Sequence, residues 1–230
     1  MSDATRAAAP DRSAHVTWEP FDPEEIGYEV LADWLRQFYS SQPWNEYMKC
    51  FSCSAPDDFT FKGTWGRGQL VNRAGPLCPE CGGELRPFWS PERARAFFCA
   101  LGKKGRLTGL TVRSDGAFAG CLWGYEIGAE TLAAWQPRPA GEGVYIDRIL
   151  VLPKHRNGIV IWYLLAMTLR EFGRTHDYLV TRTHLKANVV RTLLKRLRFE
   201  ELNECPILPE RSYWARSLEI AGGLPPSLHE

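Results

Sequence analysis

Four cysteines stand in two short pairs, Cys50-Phe-Ser-Cys53 and Cys78-Pro-Glu-Cys81, with 24 residues between them. Two residues between thiols let one tight turn present both to a single ion. Two such knuckles supply four thiolates in a tetrahedron, the geometry that zinc takes. Pro79 and the Gly82-Gly83 pair suit a tight metal turn, which neither two redox pairs nor chance explains. With all four positions filled by protein, the metal would be structural and leave no open position for catalysis. A second chemical feature lies between Gly143 and Phe172. A β-branched, apolar run ending at Pro153 is followed by a basic turn, Lys154-His-Arg-Asn-Gly158, and then by an apolar helical pattern. A strand, a basic turn and a helix start offer free backbone N–H groups and the positive end of a helix dipole to a phosphate. The plain alternative is a solvated turn that binds nothing.

The elements that must position these groups follow from periodicity and punctuation. A first strand is expected near His15–Glu19. Asp22 then caps a helix with Pro23 at its first position, continuing to about Tyr39 with Ile26, Val30, Leu31, Leu35 and Phe38 on one face. The cysteine module spans about Trp44 to Trp89 and is too small for much of a core, so the metal should supply most of its stability. Ser90-Pro91 starts a second helix. Leu107–Arg113 and Ala117–Ile127 read as strands joined by the turn Ser114-Asp-Gly116, with Gly120 and Gly124 marking bulges or close approach of another backbone. After the central strand, turn and helix come a strand at Tyr178–His184, a helix at Lys186–Arg198 and strands at Phe199–Asn203 and Arg211–Leu218. The ends, 1–14 and 221–230, read as tails.

The segment from Gly143 to Phe172 resembles the acetyl-CoA-binding motif of the GNAT N-acetyltransferase superfamily: a strand ending in Val-x-Pro, then (Gln/Arg)-x-x-Gly-x-(Gly/Ala), then a long apolar helix. His155 stands at the Gln/Arg position, Gly158 at the first glycine and Val160 at the Gly/Ala position. Asn188 to Phe199 is similar to the family's closing motif, but its tyrosine position holds Leu194 counting back from Phe199, or Lys195 counting forward from Asn188. The resemblance covers about residues 15–220. It implies a mixed, mostly antiparallel central sheet flanked by helices, an α/β fold with the zinc ribbon inserted between its first two helices.

The same resemblance implies a site. A central strand splayed from its neighbour would bind the pantetheine arm of acetyl-CoA along Ile149, Leu150 and Val151. His155, Arg156, Asn157, Gly158, Ile159 and Val160 would hold the diphosphate, with Asn188 beside the cofactor. The amine must be neutral when it attacks, which needs a base. Asp147 is the first candidate, on the expectation that strand alternation puts it on one face with Tyr145, Ile149 and Val151. An ion pair with Arg148 or Arg182 is the alternative. Glu126 and His184 are second candidates, histidine because its pKa lies near working pH. Tyr145, Tyr213 or water would replace the missing tyrosine as proton donor. Cys99, Cys121 and Cys205 read as buried small apolar residues.

Composition sets the outer limits. The 230 residues are 44% hydrophobic and 24% charged with net charge +1, an ordinary globular balance. No bulk field directs the chain to nucleic acid, and no apolar run is long enough to span a membrane. The cysteine usage points to a reducing, cytoplasmic setting. Between Trp44 and Trp89 five basic residues meet five acidic ones, so the ribbon has no excess for a phosphate backbone. Its aromatics Phe51, Phe59, Phe61 and Trp65 could stack on bases or form a miniature core. The stretch from Arg182 to Arg198 has six Lys and Arg and no acid. The function that the GNAT resemblance implies is acetyl transfer from acetyl-CoA to an unidentified amine. The alternatives are a nucleic-acid- or protein-binding module on the same scaffold, or an acyltransferase acting on a nucleic-acid base or tRNA. Oligomeric state is open.

Overall fold

The computed structural model describes residues 15–59, 62–71, 77–128, 130–131, 141–155, 159–206, 208 and 210–218. The expected tails lie outside the described residues. So do Phe61, three residues of the basic turn (Arg156, Asn157 and Gly158) and the side chain of Ile159.

The chain opens with strand β1 (Val16–Pro20). Asp22 caps the next segment as expected, its Oδ1 accepting from the N–H of Glu24 at 2.8 Å and of Glu25 at 3.3 Å. The single helix expected here is two, α1 (Pro23–Ile26) and α2 (Tyr28–Tyr39), because Gly27 takes φ 88° and interrupts the ladder. The restart resets the helical phase. Leu31, Ala32, Leu35 and Tyr39 are buried, whereas Val30 is 41% exposed, contrary to expectation.

The cysteine module carries β2 (Met48–Cys50), β3 (Thr64–Trp65), the short α3 (Arg67–Leu70) and β4 (Leu85–Pro87), in a three-stranded antiparallel sheet ordered β3-β2-β4. Helix α4 (Pro91–Gly102) begins at Ser90, whose hydroxyl accepts from Arg93 N–H at 3.2 Å. Then come β5 (Leu107–Ser114) and β6 (Ala117–Ile127), joined through Asp115 and Gly116, both at positive φ as a tight hairpin requires. They are followed by β7 (Gly143–Val151), a 3-10 turn (Pro153–His155), α5 (Ile159–Phe172), β8 (Tyr178–His184), α6 (Asn188–Arg196), β9 (Glu200–Glu204) and β10 (Arg211–Ser217).

The seven-stranded sheet is ordered β1-β5-β6-β7-β8-β10-β9, and every neighbouring pair is antiparallel except β7–β8. On one face α5 and α6 cover Val144, Ile146, Val151 and Trp214. On the other, α2 and α4 cover Cys121, Trp123 and Leu150. Each such buried apolar side chain contributes roughly 1.5–3 kcal/mol. No described helix is long and apolar enough to cross a membrane.

Both glycines of β6 are there for close approach. A Cβ at Gly124 would lie 1.8 Å from the carbonyl oxygen of Tyr145, and one at Gly120 would lie 2.7 Å from that of Leu150. The β6–β7 register slips at this point, from Trp123↔Arg148 to Gly124↔Ile146. Asp147 is thus the extra residue of a β-bulge. The bulge inverts alternation beyond it: Ile149 and Val151 pack with Val144 and Ile146, while Tyr145 belongs to the opposite face with Ile127 and Val180. The expectation that Tyr145, Asp147, Ile149 and Val151 share one face is therefore corrected.

Candidate functional site

The parallel pair β7–β8 is matched only over Gly143↔Tyr178 to Ile146↔Thr181. Both strands run on, β7 to Val151 and β8 to His184, but they no longer pair. The Thr181 hydroxyl donates to the Ile146 carbonyl at 3.1 Å, where the strands part. A cavity of about 750 Å³ occupies the opening. Its walls include Asp147, Ile149 and Val151 of β7, Thr181, Arg182 and Thr183 of β8, and Ile161, Trp162 and Leu165 of α5. The Thr183 hydroxyl is buried with no hydrogen-bond partner among the described residues, so the opening holds a polar group that a ligand can satisfy.

The sequence-predicted residues fall in different places. Asp147 lines the cavity with its side chain 15% exposed, 3.5 Å from Arg148 Nε. Tyr145 also lines it, and burial drives its phenol well above the ordinary value. Leu194, buried on α6, faces the cavity, whereas Lys195 is exposed, so the position facing the opening is apolar. Leu150 points away, into the α2–α4 core. Asn188 is exposed at the start of α6, where its neighbour Val189 borders the cavity. His155 closes the 3-10 turn, its N–H donating to Leu152 O at 2.8 Å. Val160 is 2% exposed and packs in the core with Leu164 and Leu165, away from the cavity walls.

Neither second candidate base is among the residues lining the cavity. Glu126 is ion-paired with Arg106 and lies 3.2 Å from His176 Nε2; Arg106 first, against burial, holds its carboxyl below the usual range. His184 lies 3.4 Å from Glu210 and accepts from the Lys186 N–H through Nδ1 at 3.1 Å. Its ring packs edge-on against Trp44. Burial, then Arg211, lowers its pKa. Of the remaining cysteines, Cys121 and Cys205 are buried as expected, but Cys99 is exposed.

The structure adds groups that sequence patterns did not single out. Glu46 is fully buried and both its oxygens lie 2.9 Å from Arg148 Nη1, with Trp89 Nε1 donating to Oε2 at 2.9 Å. Tyr39 stacks under the same guanidinium at 4.3 Å and donates its hydroxyl to Ile149 O at 3.2 Å. Burial pushes Glu46 up, while Arg148 and the Trp89 N–H pull it back. Arg148 stays cationic against burial because Glu46, Tyr39 and Asp147 surround it. Glu46 comes from the edge of the cysteine module, so that module reaches the cavity directly. Its acid type was visible in the sequence, but nothing there shows that it is buried.

The four cysteines do converge: their sulfurs lie within 4.8 Å of one another, with Cys50–Cys81 at 3.4 Å, Cys53–Cys81 at 3.3 Å and Cys53–Cys78 at 3.8 Å. Four thiolates ~2.3 Å from a tetrahedral zinc sit about 3.8 Å apart, so the donor set fits that ion. Gly82 at φ 71° and the Gly83 N–H, 3.4 Å from Cys81 Sγ, shape the second knuckle. The aromatics here serve packing. Phe59 lies against Trp89 and Phe97, and Arg93 covers Phe51 and Phe59. The basic stretch is partly neutralised, with Lys186 on Glu210 at 2.9 Å and Arg191 on Glu201 at 3.1 Å.

No protein-family model matches the chain, and no curated protein matches it by sequence. Solved structures do. Arabidopsis thaliana NAA60 in complex with acetyl-CoA superposes with a TM-score of 0.53 at 12% identity, over 88% of this chain and 98% of that one. Salmonella typhimurium yncA with its cofactor acetyl-CoA gives 0.51 at 10% identity, over 92% and 99%. An uncharacterized protein from Bacillus halodurans gives 0.54 at 9% identity, over 88% and 83%. At such identities the likeness is one of fold: the chain has the GNAT fold, with a four-cysteine module between its first helices and the helix that follows.

Proposed function

We propose that the protein is an N-acyltransferase that moves an acetyl group from acetyl-CoA to an amine. The observation that carries this reading is the parting of β7 and β8 beyond Ile146 and Thr181, with a cavity of about 750 Å³ in the gap. An extended pantetheine arm fits such a gap as an added strand would, along Ile149–Val151. Val160 is turned into the core, which leaves the helix mouth clear of its side chain. The likeness to two proteins solved with acetyl-CoA supports the same reading.

The chemistry needs the thioester carbonyl and a neutral amine held in contact. The amine nitrogen bonds to the carbonyl carbon, the C–S bond breaks, the coenzyme leaves as thiolate, and the amine gives up a proton. Asp147 stands where the bulge pushes it into the opening and is the base in this scheme. The Tyr145 phenol lines the same cavity and burial makes it hold its proton, so it can donate a hydrogen bond to the departing thiolate, while the proton taken from the amine by Asp147 passes to the thiolate or to solvent. Cys50, Cys53, Cys78 and Cys81 would hold a structural zinc, which would stabilise the module that delivers Glu46.

The test is release of coenzyme A thiol from acetyl-CoA across an amine panel, with product mass measured in parallel. Turnover with at least one amine, reduced about 100-fold or more in Asp147→Asn, is expected for loss of a general base. No release with any amine would sink the enzymatic reading. Unchanged turnover in Asp147→Asn would remove Asp147 as base.

A further inference from the structure

Two threonines stand on one face of β8. The strand pairs with β10 without a slip, so Leu179, Thr181 and Thr183 alternate onto the side covered by α5 and α6, where Leu179 joins the core. Val180 lies on the opposite side with Tyr145 and Tyr213. The Thr181 hydroxyl donates to Ile146 O at 3.1 Å, at the last matched pair of β7 and β8. Thr183 stands further along, where β7 has parted. It is 2% exposed, and its Oγ1 has no hydrogen-bond partner. Among the described residues it is the one buried side-chain nitrogen or oxygen of the cavity walls in that state. Its neighbour across the sheet, Ser212 of β10, is committed elsewhere: Ser212 Oγ accepts from Trp214 Nε1 at 2.9 Å.

Carried past the extra residue Asp147, the β7–β8 register sets Ile149 across the opening from Thr183. Antiparallel pairs alternate between those that exchange both backbone hydrogen bonds and those that exchange none. Leu152 N–H donates to Ala119 O at 2.9 Å, and the register then runs Val151↔Gly120, Leu150↔Cys121, Ile149↔Leu122. Leu152 and Leu150 therefore bond to β6, and the N–H and C=O of Ile149 point away from it, into the opening. That carbonyl is already met by the Tyr39 hydroxyl at 3.2 Å. An incoming chain thus finds a donor on each side at this level, the Ile149 N–H and the Thr183 O–H. The walls toward the helices, Ile161, Trp162, Leu165 and Leu194, are apolar. Two donors in an apolar slot suit a slender alkyl chain that carries carbonyl oxygens.

We propose that Thr183 is a coenzyme-binding residue, its hydroxyl donating to an amide carbonyl of the pantetheine arm from the strand opposite the one the arm lies along. This assignment rests on the acyl-transfer reading and adds a contact to it. The arm is an alkyl chain interrupted by amides. One of their carbonyls would give Thr183 what Ile146 O gives Thr181, so the coenzyme continues in the gap the pairing that β7 breaks off. Threonine suits the place. Its branched side chain fits a strand, and water in the open gap can serve the hydroxyl until the arm displaces it. A ligand with no polar atom at this level would leave the hydroxyl buried and unmet, which costs affinity.

The experiment measures binding by calorimetry, which needs no turnover. Coenzyme A is titrated into the full wild-type protein, Thr183→Val and Thr183→Ser, beside adenosine 3′,5′-bisphosphate, which has the nucleotide end and no arm. Thr183→Val keeps the shape and removes the hydroxyl. It should raise the Kd for coenzyme A about tenfold, the effect of one lost hydrogen bond, and leave the Kd for the bisphosphate within about twofold. Thr183→Ser keeps the donor and should bind coenzyme A within about threefold of wild type. The melting midpoint of ligand-free Thr183→Val should match or exceed that of wild type, because no protein partner is lost. If valine prevents folding, Thr183→Ala takes its place in the same titrations. Equal affinity of wild type and Thr183→Val for coenzyme A would overturn the assignment and leave the acyltransferase reading standing. Equal weakening of both ligands with a lower midpoint would overturn it too, by showing a structural role. A fall in kcat with unchanged coenzyme A affinity would also overturn it, moving the hydroxyl from the arm to the reacting carbonyl. A wild-type protein that binds no coenzyme A would sink the acyl-transfer reading and the assignment with it.

Discussion

Glu46→Gln tests how the cysteine module is tied to the sheet. The substitution keeps the shape of the side chain and its ability to accept from Trp89 Nε1, but removes the charge that faces Arg148 from 2.9 Å. Arg148 is 11% exposed at its side chain and cannot recover water. Breaking one side of a buried ion pair costs ~3–5 kcal/mol. Asp147, at 3.5 Å, and the Tyr39 ring, at 4.3 Å, remain to steady the guanidinium, so the lower end applies, about 3 kcal/mol. For a chain of this size that is a fall of roughly 6–12 °C in melting midpoint. Urea denaturation should show a lower midpoint with an unchanged slope. The paired variant Glu46→Gln/Arg148→Met removes both charges and should recover more than half of the loss, giving a coupling of about 2 kcal/mol. A Glu46→Gln variant within 0.5 kcal/mol of wild type, a scale of ordinary surface changes, would refute the argument. Strictly additive single losses would refute it too.

Three further outcomes are expected. Gly124→Ala forces a Cβ to 1.8 Å from the Tyr145 carbonyl oxygen, and should cost more than about 2 kcal/mol or abolish soluble expression; tolerance of alanine would contradict the close approach of β6 and β7. Metal analysis should find one zinc per chain, and its removal by a chelator should lower both melting midpoint and acyl transfer, because Glu46 precedes Cys50 by four residues and Trp89 follows Cys81 by eight; full activity without metal would break that link. His184 has its pKa lowered, by burial first and Arg211 next, so the unfolded chain takes up the proton at higher pH than the folded one. Stability should therefore fall as pH drops below about 6.5, and His184→Gln should flatten that fall between pH 7.5 and 5.5; equal losses in both proteins would contradict it.

What could be read in the sequence was local. The Cys-x-x-Cys knuckles, the Asp22 and Ser90 caps, and the Asp115-Gly116 hairpin each depend on residues within a few positions of one another, and each stands where expected. The order of strands and helices followed, since every element has its own period and its own stops. Long-range placement was not legible. The bulge at Asp147 exists because β6 and β7 differ by one residue in register, a relation between strands that alternation along one strand does not contain. Glu46 reads as an ordinary acid between a helix and a knuckle, and only the packed structure shows it fully buried against Arg148 and Trp89. Val160, which by type would crowd a phosphate turn, is turned into the core by the helix phase of α5. The gap between β7 and β8 depends on where two strands cease to pair, and that is set by the whole sheet.

The most direct measurement is hydrogen–deuterium exchange of the β7 amides as coenzyme A is titrated into the protein. If the opened strand receives the pantetheine arm, peptides covering 147–151 should slow on binding, with those of the distant pair β1–β5 unchanged. Saturable binding of coenzyme A that leaves exchange at 147–151 as it was, or no binding at all, would contradict the account.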